Sequence, residues 1–139
     1  MPLTLTQEQE EFVSAVRDFC RKECGTREQR DKLTENGRKP HNVELYKKMA
    51  DLGWLGVATP EEYGGAGGGM VDLALFLETT SYGMAPIGGF GVSSISVGPY
   101  ERFGTEELKR EVLTNLVQGG VESVAMSEPE AGSDVGALH

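Results

Sequence analysis

The sequence predicts a mainly α-helical protein, with five or six helices across residues 6–118 and then an extended segment near 121–127. Apolar residues recur at helical spacing in several stretches, and most of these stretches begin with a capping residue and end at a glycine. The short apolar run Val124–Met126 instead leads towards Pro129, where a strand must end. A chain of 139 residues is long enough for one domain with a core of its own.

The first helix is predicted from Thr6 to Cys24, with Gly25 as its end. Thr6 followed by Gln9 has the pattern of a capping box, and glutamates in the first turn suit the positive end of the helix dipole. The apolar face consists of Phe12, Val16, Phe19 and Cys20. The polar stretch Thr26–His41 lacks periodicity and is predicted to be a loop with at most one helical turn. A lone loop histidine is usually a surface residue, so His41 receives no role.

A second helix is predicted over Asn42–Asp51, and Gly53 ends it. Its buried face is predicted to consist of Val43, Tyr46, Met49 and Ala50. The glycine-rich stretch Gly53–Gly69 matches neither the dinucleotide fingerprint nor the P-loop, and Glu61 and Glu62 would repel phosphate. It is therefore interpreted as a flexible connector between helices.

Three further helices follow. Val71–Tyr82 is apolar on nearly every side, which predicts a buried, central helix. The pattern over Gly88–Phe103 is weaker, and Gly98-Pro99 is expected to break or kink that helix. Thr105–Gln118 is the clearest helix, capped by Thr105 and ended by Gly119-Gly120. Its apolar stripe consists of Leu108, Val112, Leu113 and Leu116.

Charge and cysteine content restrict the class of protein. The formal net charge of −9 disfavours binding to nucleic acid or to an anionic membrane through bulk charge. The N-terminus lacks the basic and apolar regions of a signal peptide, and no apolar run reaches the length of a membrane span. Cys20 and Cys24 are interpreted as two reduced thiols of a cytoplasmic protein, with a metal clip as the alternative, because no second ligand pair accompanies them.

The polar turn Ser127–Asp134 contains residues with distinct physical uses. Gly132 lets the backbone approach a bound group closely, and Ser127 and Ser133 place hydroxyls on either side of the turn. Consecutive backbone N–H groups in such turns can form an anion-binding nest. The alternative is an ordinary acidic surface loop, which composition alone favours because turns normally collect Ser, Gly, Asp and Pro.

The stretch AMSEPEAGSDVGA, residues Ala125–Ala137, resembles the flavin-binding signature of the acyl-CoA dehydrogenase family. That pattern is a small apolar pair, Ser or Thr, Glu-Pro, two residues and then Gly-Ser-Asp. The likeness extends upstream. The segment 53–65, with Gly-Trp-Leu-Gly and Pro-Glu-Glu-Tyr-Gly-Gly, and the run FGTEELKREVLTNLVQGG at 103–120 are similar to family segments in the same order.

The resemblance implies a domain division. Residues 1–120 would be the N-terminal helical domain, and residues 121–139 would be the first strand and the flavin-binding turn of a middle β-barrel domain. The rest of the barrel and a C-terminal helical bundle, which carries the catalytic glutamate, would lie beyond residue 139. We therefore expect a fragment of a longer protein, with no catalytic residue among these 139 and no activity of its own.

The resemblance also implies a function, the FAD-dependent oxidation of an acyl-CoA to a trans-2-enoyl-CoA in fatty acid metabolism. The acyl-CoA would be the substrate, electron-transfer flavoprotein the acceptor, and the enzyme a homo-oligomer or a hetero-oligomer with a related subunit. Cofactor-binding residues implied by the family are Val124, Ala125, Met126, Ser127, Gly132 and Ser133. Substrate-binding residues implied are Ser133, Gly88, Gly91 and Ile95.

Some alternatives remain open. The family often has Gly where Glu130 stands, and the extra charge weakens the implied phosphate contact at that end of the turn. An acyl-CoA oxidase, a flavin monooxygenase of the same fold or a non-catalytic helical partner subunit are the other candidates. The small residues over Gly88–Ile95 suggest room for a bulky or branched acyl group, although close helix packing explains them equally well.

Overall fold

The computed structural model describes residues 4–137. Over that range the chain forms six α-helices: α1 Gln7–Cys24, α2 Arg27–Leu33, α3 Val43–Asp51, α4 Met70–Tyr82, α5 Gly88–Phe103 and α6 Glu106–Val117. Single 3-10 turns form at Trp54–Gly56, Glu61–Tyr63 and Val135–Ala137. The predicted helical fold class is confirmed. No strand forms within residues 4–137, so 121–127 has no sheet partner there, and the two-domain division stays a prediction.

The predicted helix starts are stabilised by side-chain caps. At α1 the N–H of Gln9 donates to Thr6 Oγ1 over 3.2 Å, and the N–H of Thr6 donates to Gln9 Oε1 over 3.1 Å. These reciprocal bonds are the predicted capping box. Asn42 caps α3 and Thr105 caps α6, because each side-chain oxygen accepts a backbone N–H from the first turn.

The prediction of a loop for Thr26–His41 was wrong in its first half. Arg27–Leu33 is a helix of seven residues, although none of its residues is buried. Its stability comes from a second capping box between Thr26 and Gln29 and from Arg30. The Arg30 guanidinium donates to the carbonyl of Cys24 at 2.9 Å, which ties α2 to the end of α1.

The core lies between α1, α3, α4 and α5. Aromatic rings hold its centre: Phe76 of α4 lies 4.9 Å from Phe90 and 6.1 Å from Phe12, measured between ring centroids. Trp54 contacts Phe12 and Phe19 edge-on. The fully or nearly fully buried apolar residues of this cluster are Val16, Cys20, Cys24, Leu45, Tyr46, Met49, Leu55, Val57, Phe76, Ile87 and Phe90.

Two predicted buried faces need correction. Helix α4 is buried on one side only, with Phe76 inside and Met70 and Tyr82 exposed, because the described helices cover just one of its faces. In α3 the buried face is centred on Leu45, Tyr46 and Met49, and Val43 is 72% exposed. Val43 is the first helical residue, so it lies at the edge of the packed surface.

Helix α5 runs without interruption through Gly98 and Pro99, so the predicted break does not occur, while a kink there stays a prediction. Proline removes the N–H that would bond the carbonyl four residues earlier, on Ile95. Ile95 and Pro99 both lie on the exposed side of the helix, where water can satisfy that carbonyl.

The glycine-rich stretch is a folded loop rather than the predicted flexible connector. The N–H of Ala66 donates to Gly56 O and the N–H of Gly68 to Val57 O, each over 2.9 Å. A side chain on Gly65 would overlap the carbonyl of Thr59. The glycines therefore allow the loop to close on itself.

No helix within residues 4–137 combines the length and the hydropathy that a membrane-spanning segment needs.

Candidate functional site

The candidate site is the segment that follows α6. Gly119, with φ of +99°, turns the chain away from the helix, and the N–H of Gly120 donates to Asn115 O over 2.8 Å. The N–H of Glu122 then donates to the Ser93 hydroxyl of α5 over 3.0 Å. The segment thus starts from a fixed attachment to two helices.

A closed turn follows at Glu128–Ala131. The N–H of Glu128 donates to Ala131 O over 2.9 Å, and the N–H of Ala131 donates to Glu128 O over 3.2 Å. Pro129, with its fixed φ, occupies the tip and suits a tight turn. Ala131 is buried, whereas a side chain on Gly132 would meet no atom within 4 Å. The backbone at Gly132 is therefore open to a close approach by another group.

The predicted cofactor-binding residues share this one short segment and are exposed: Val124, Ala125, Met126, Ser127, Gly132 and Ser133. Within the described chain, the backbone N–H groups of residues 124–127 donate no hydrogen bond to protein. These donors are therefore available to a polar ligand edge. Their role as flavin contacts stays a prediction.

The predicted substrate-binding residues of α5 lie on its outward face. Gly88, Gly91 and Ile95 are spaced by three and four residues, which places them along one side of the helix. Ile95 is 67% exposed, and a side chain on Gly91 would meet nothing within 4 Å. There is room for another group beside Gly91, whereas a side chain on Gly88 would lie 3.1 Å from Pro40 O.

A cavity of about 190 Å³ lies between α4 and α5. Its lining includes Ser94, Val97 and Gly98 of α5, with Met70 and Leu73 of α4. Gly88, Gly91 and Ile95 are not among its lining residues. The cavity is smaller than the usual range for ligand sites, roughly 300–1,000 Å³, so by itself it would hold only a small group.

His41 is half-buried, which corrects the expectation of a surface residue without a role. Its Nδ1 accepts the N–H of Gly89 over 3.3 Å, and its ring meets Tyr46 edge-on, 4.7 Å between centroids. The N–H of Gly88 donates to Pro40 O over 3.1 Å. Burial lowers the pKa of His41, so the neutral imidazole that accepts this bond is favoured.

Tyr46 and Ser93 were also missed by the sequence reasoning. Tyr46 is almost completely buried, and burial raises its pKa to about 12, while the Ser93 side chain acts in the opposite direction. Tyr46 is recognisable in the sequence only as an apolar position of α3. Ser93 is one of several small residues in α5, and nothing local distinguishes it from Ser94.

The cysteine pair of α1 is fully enclosed. Cys20 and Cys24 are free thiols, and Cys24 Sγ donates to Cys20 O over 3.2 Å. Among the residues that the structure describes, no group of three His, Cys, Asp or Glu side chains is arranged to hold a metal ion. Both cysteines are buried in the core cluster that also contains Phe76 of α4.

Comparison with known proteins assigns the family. A family model described as the acyl-CoA dehydrogenase N-terminal domain matches residues 6–120. The probable acyl-CoA dehydrogenase YngJ of Bacillus subtilis is 37% identical over 139 residues, covering 98% of this chain and 36% of that protein. Mitochondrial isovaleryl-CoA dehydrogenase of Solanum tuberosum is 33% identical over 130 residues, covering 91% of this chain and 31% of the relative.

A solved structure agrees with the sequence matches. Butyryl-CoA dehydrogenase from Megasphaera elsdenii superimposes with a TM-score of 0.76 and 27% identity, covering 100% of this chain and 37% of the other. The chain thus spans about a third of the length of the curated relatives it matches. With the family model over most of its length and several relatives above 30% identity, the chain belongs to the acyl-CoA dehydrogenase family.

Proposed function

We propose that this chain is the N-terminal part of an FAD-dependent acyl-CoA dehydrogenase that converts an acyl-CoA to its trans-2-enoyl-CoA. The observation that carries the proposal is the largely exposed turn at 127–134, which follows the matched domain and contains every feature of the family's flavin-binding pattern. In this reaction the α-proton goes to a carboxylate base and bound FAD accepts the β-hydride.

The donors of the turn fit the polar edge of a flavin. The free N–H groups of residues 124–127 and the Ser127 hydroxyl would donate to the pyrimidine edge of the ring. Such fixed donors act most strongly where bound groups exclude water. Gly132 and Ser133 would face the pyrophosphate, because at Gly132 no side chain limits how near a phosphate can come. Ser133 would also contact the acyl-CoA.

The acyl group would extend towards α5. The face of α5 at Gly91 and Ile95 has room beside it, and the cavity lined by Ser94 and Val97 could take a small end group. The catalytic base is expected beyond residue 139. Glu128 and Asp134 are poor substitutes, since carboxylates within a tight turn tend to accept local backbone N–H groups.

The physiological partners follow from the same family assignment. We propose electron-transfer flavoprotein as the electron acceptor, and an oligomer of identical or related subunits as the working form. A role in fatty acid β-oxidation follows from that chemistry. An acyl-CoA oxidase would differ in its acceptor, so oxygen consumption during turnover separates the two enzymes.

Flavin content and flavin reduction test the proposal. The full translation product should purify with FAD, and an added acyl-CoA should bleach the flavin absorbance under anaerobic conditions. Ser127→Ala should weaken FAD binding by roughly 1–3 kcal/mol, because it removes one donor from a buried edge. Ser14→Ala, an exposed serine of α1, is the matched control. A colourless product with no affinity for FAD would favour the non-catalytic partner subunit.

A further inference from the structure

The serines of α5 differ in where their hydroxyls bond. Ser94 and Ser96 each donate to a carbonyl of α5 itself, over 2.9 and 3.4 Å. Such bonds are the usual outcome for serine within a helix. Ser93 instead accepts the N–H of Glu122 over 3.0 Å, from a residue 29 positions further along the chain. Its hydroxyl joins two parts of the fold.

Ser93 is itself held by a third element. It is 3% exposed, and its side chain interacts with that of Tyr46 of α3, which is 1% exposed. A serine hydroxyl has one donor and two acceptor positions, so it can bond Tyr46 and the N–H of Glu122 together. Helix α3, helix α5 and the segment after α6 therefore meet at one buried hydroxyl. Because the Ser93 side chain is buried, loss of its partner would leave a buried polar group unsatisfied.

Gly89 completes the attachment one turn before Ser93. A side chain on Gly89 would lie 2.9 Å from Val121 Cγ2 and 3.3 Å from His41 Cε1. Glycine is therefore what allows Val121 to lie directly against α5. Gly89 and Ser93, four residues apart on one face, form a seat for Val121 and Glu122, which we call the α5 seat.

We propose that Ser93 is a positioning residue for flavin binding, which acts through Glu122 by fixing where the segment to Ser127 begins. The inference rests on the function proposed above. Ser127 is the fifth residue after Glu122, a span of at most about 18 Å. Within the described chain, residues 123–127 make no hydrogen bond to the helices. The α5 seat is thus their last polar attachment before the flavin-binding turn.

The attachment is tested in the 139-residue chain without flavin. Ser93→Ala should make the Glu122 amide exchange with solvent about tenfold faster in NMR measurements, because its acceptor is lost. Ser96→Ala removes an equally buried hydroxyl that bonds only its own helix, and it should leave Glu122 unchanged. Tyr46→Phe should increase the exchange rate of the Glu122 amide by a smaller factor. If Ser93→Ala does not fold, Tyr46→Phe is measured in its place. Unchanged exchange at Glu122 in the folded variants would overturn the inference.

The positioning role is tested in the full translation product with FAD. Ser93→Ala should raise the dissociation constant for FAD about tenfold and shift the flavin absorbance maximum. Ser96→Ala should change neither quantity when the two variants have the same thermal stability. If the wild type binds FAD and both variants have the same FAD dissociation constant and spectrum, the positioning role of Ser93 is overturned and the proposed function is not. A wild type that binds no FAD would instead overturn the proposed function, and the positioning role with it.

Discussion

Replacing Phe76 by alanine should remove the centre of the aromatic core. Phe76 is fully buried in α4, and its ring lies 4.9 Å from Phe90, 6.1 Å from Phe12 and 6.5 Å from Trp54, measured between centroids. Rings from α1, α5 and the loop after α3 therefore surround it, and none of them can fill its place without moving from its own contacts.

The expected loss in the free energy of unfolding is about 3–5 kcal/mol, the range for a fully buried phenylalanine replaced by alanine. Total stability of a domain is typically about 5–15 kcal/mol, so the variant would retain a marginal fold. Tyr82→Ala is the control on the same helix. Tyr82 is 86% exposed, so its loss should stay within roughly 0.5 kcal/mol.

Urea unfolding of the 139-residue chain measures both changes. Trp54 is the single tryptophan and it contacts Phe12, Phe19 and Phe76, so its fluorescence reports on this core. At a slope of about 2 kcal/mol per molar urea, the midpoint for Phe76→Ala should fall by roughly 2 M. Circular dichroism serves as the second probe, since the substitution alters the surroundings of Trp54. A loss below about 1 kcal/mol, or an equal loss for Tyr82→Ala, would refute the one-sided burial of α4.

Three further outcomes are expected. Burial lowers the pKa of His41, so the contribution of His41 to stability is complete above the unfolded pKa of about 6.5 and is lost as pH falls towards the folded pKa. His41→Gln should flatten this part of the profile of stability against pH. Equal slopes in wild type and His41→Gln would exclude the effect. A panel of acyl-CoA substrates should favour bulky or branched chains, because Gly91 leaves α5 open, and a preference for short linear chains would reject this. Residues 1–139 alone, mixed with FAD and an acyl-CoA under anaerobic conditions, should show no substrate-dependent bleaching of the flavin absorbance. Bleaching near the rate of the full translation product would place the catalytic base within this chain.

The helices were predictable wherever short-range chemistry decides them. Thr6 with Gln9 and Thr105 before α6 mark their helix starts in the sequence and in the structure. The same logic applies to Thr26 with Gln29, but the missing apolar stripe hid α2. The path of α5 through Pro99 depended on which side of the helix faces solvent, which the local sequence does not specify.

The residues of the candidate site were predictable from the sequence, but the contacts that hold this segment against the helices were not. The turn is recognisable because its pattern is contiguous, from Ser127 to Asp134. Its attachment depends on pairs that are far apart along the chain, 48 residues between His41 and Gly89 and 29 between Ser93 and Glu122. A single sequence has no periodicity that relates such positions, because tertiary packing brings them together.

The closed turn at Glu128–Ala131 also affects the thermodynamics of ligand binding. Fixing the backbone of one residue costs about 1–2 kcal/mol in conformational entropy. Two reciprocal hydrogen bonds hold this turn closed without any ligand, so its residues are ordered when the chain folds. A ligand that binds beside Gly132 therefore meets a surface already in place, and more of its contact energy appears as affinity. Opening the turn, by replacing Pro129 with glycine, would transfer that ordering cost to the binding step.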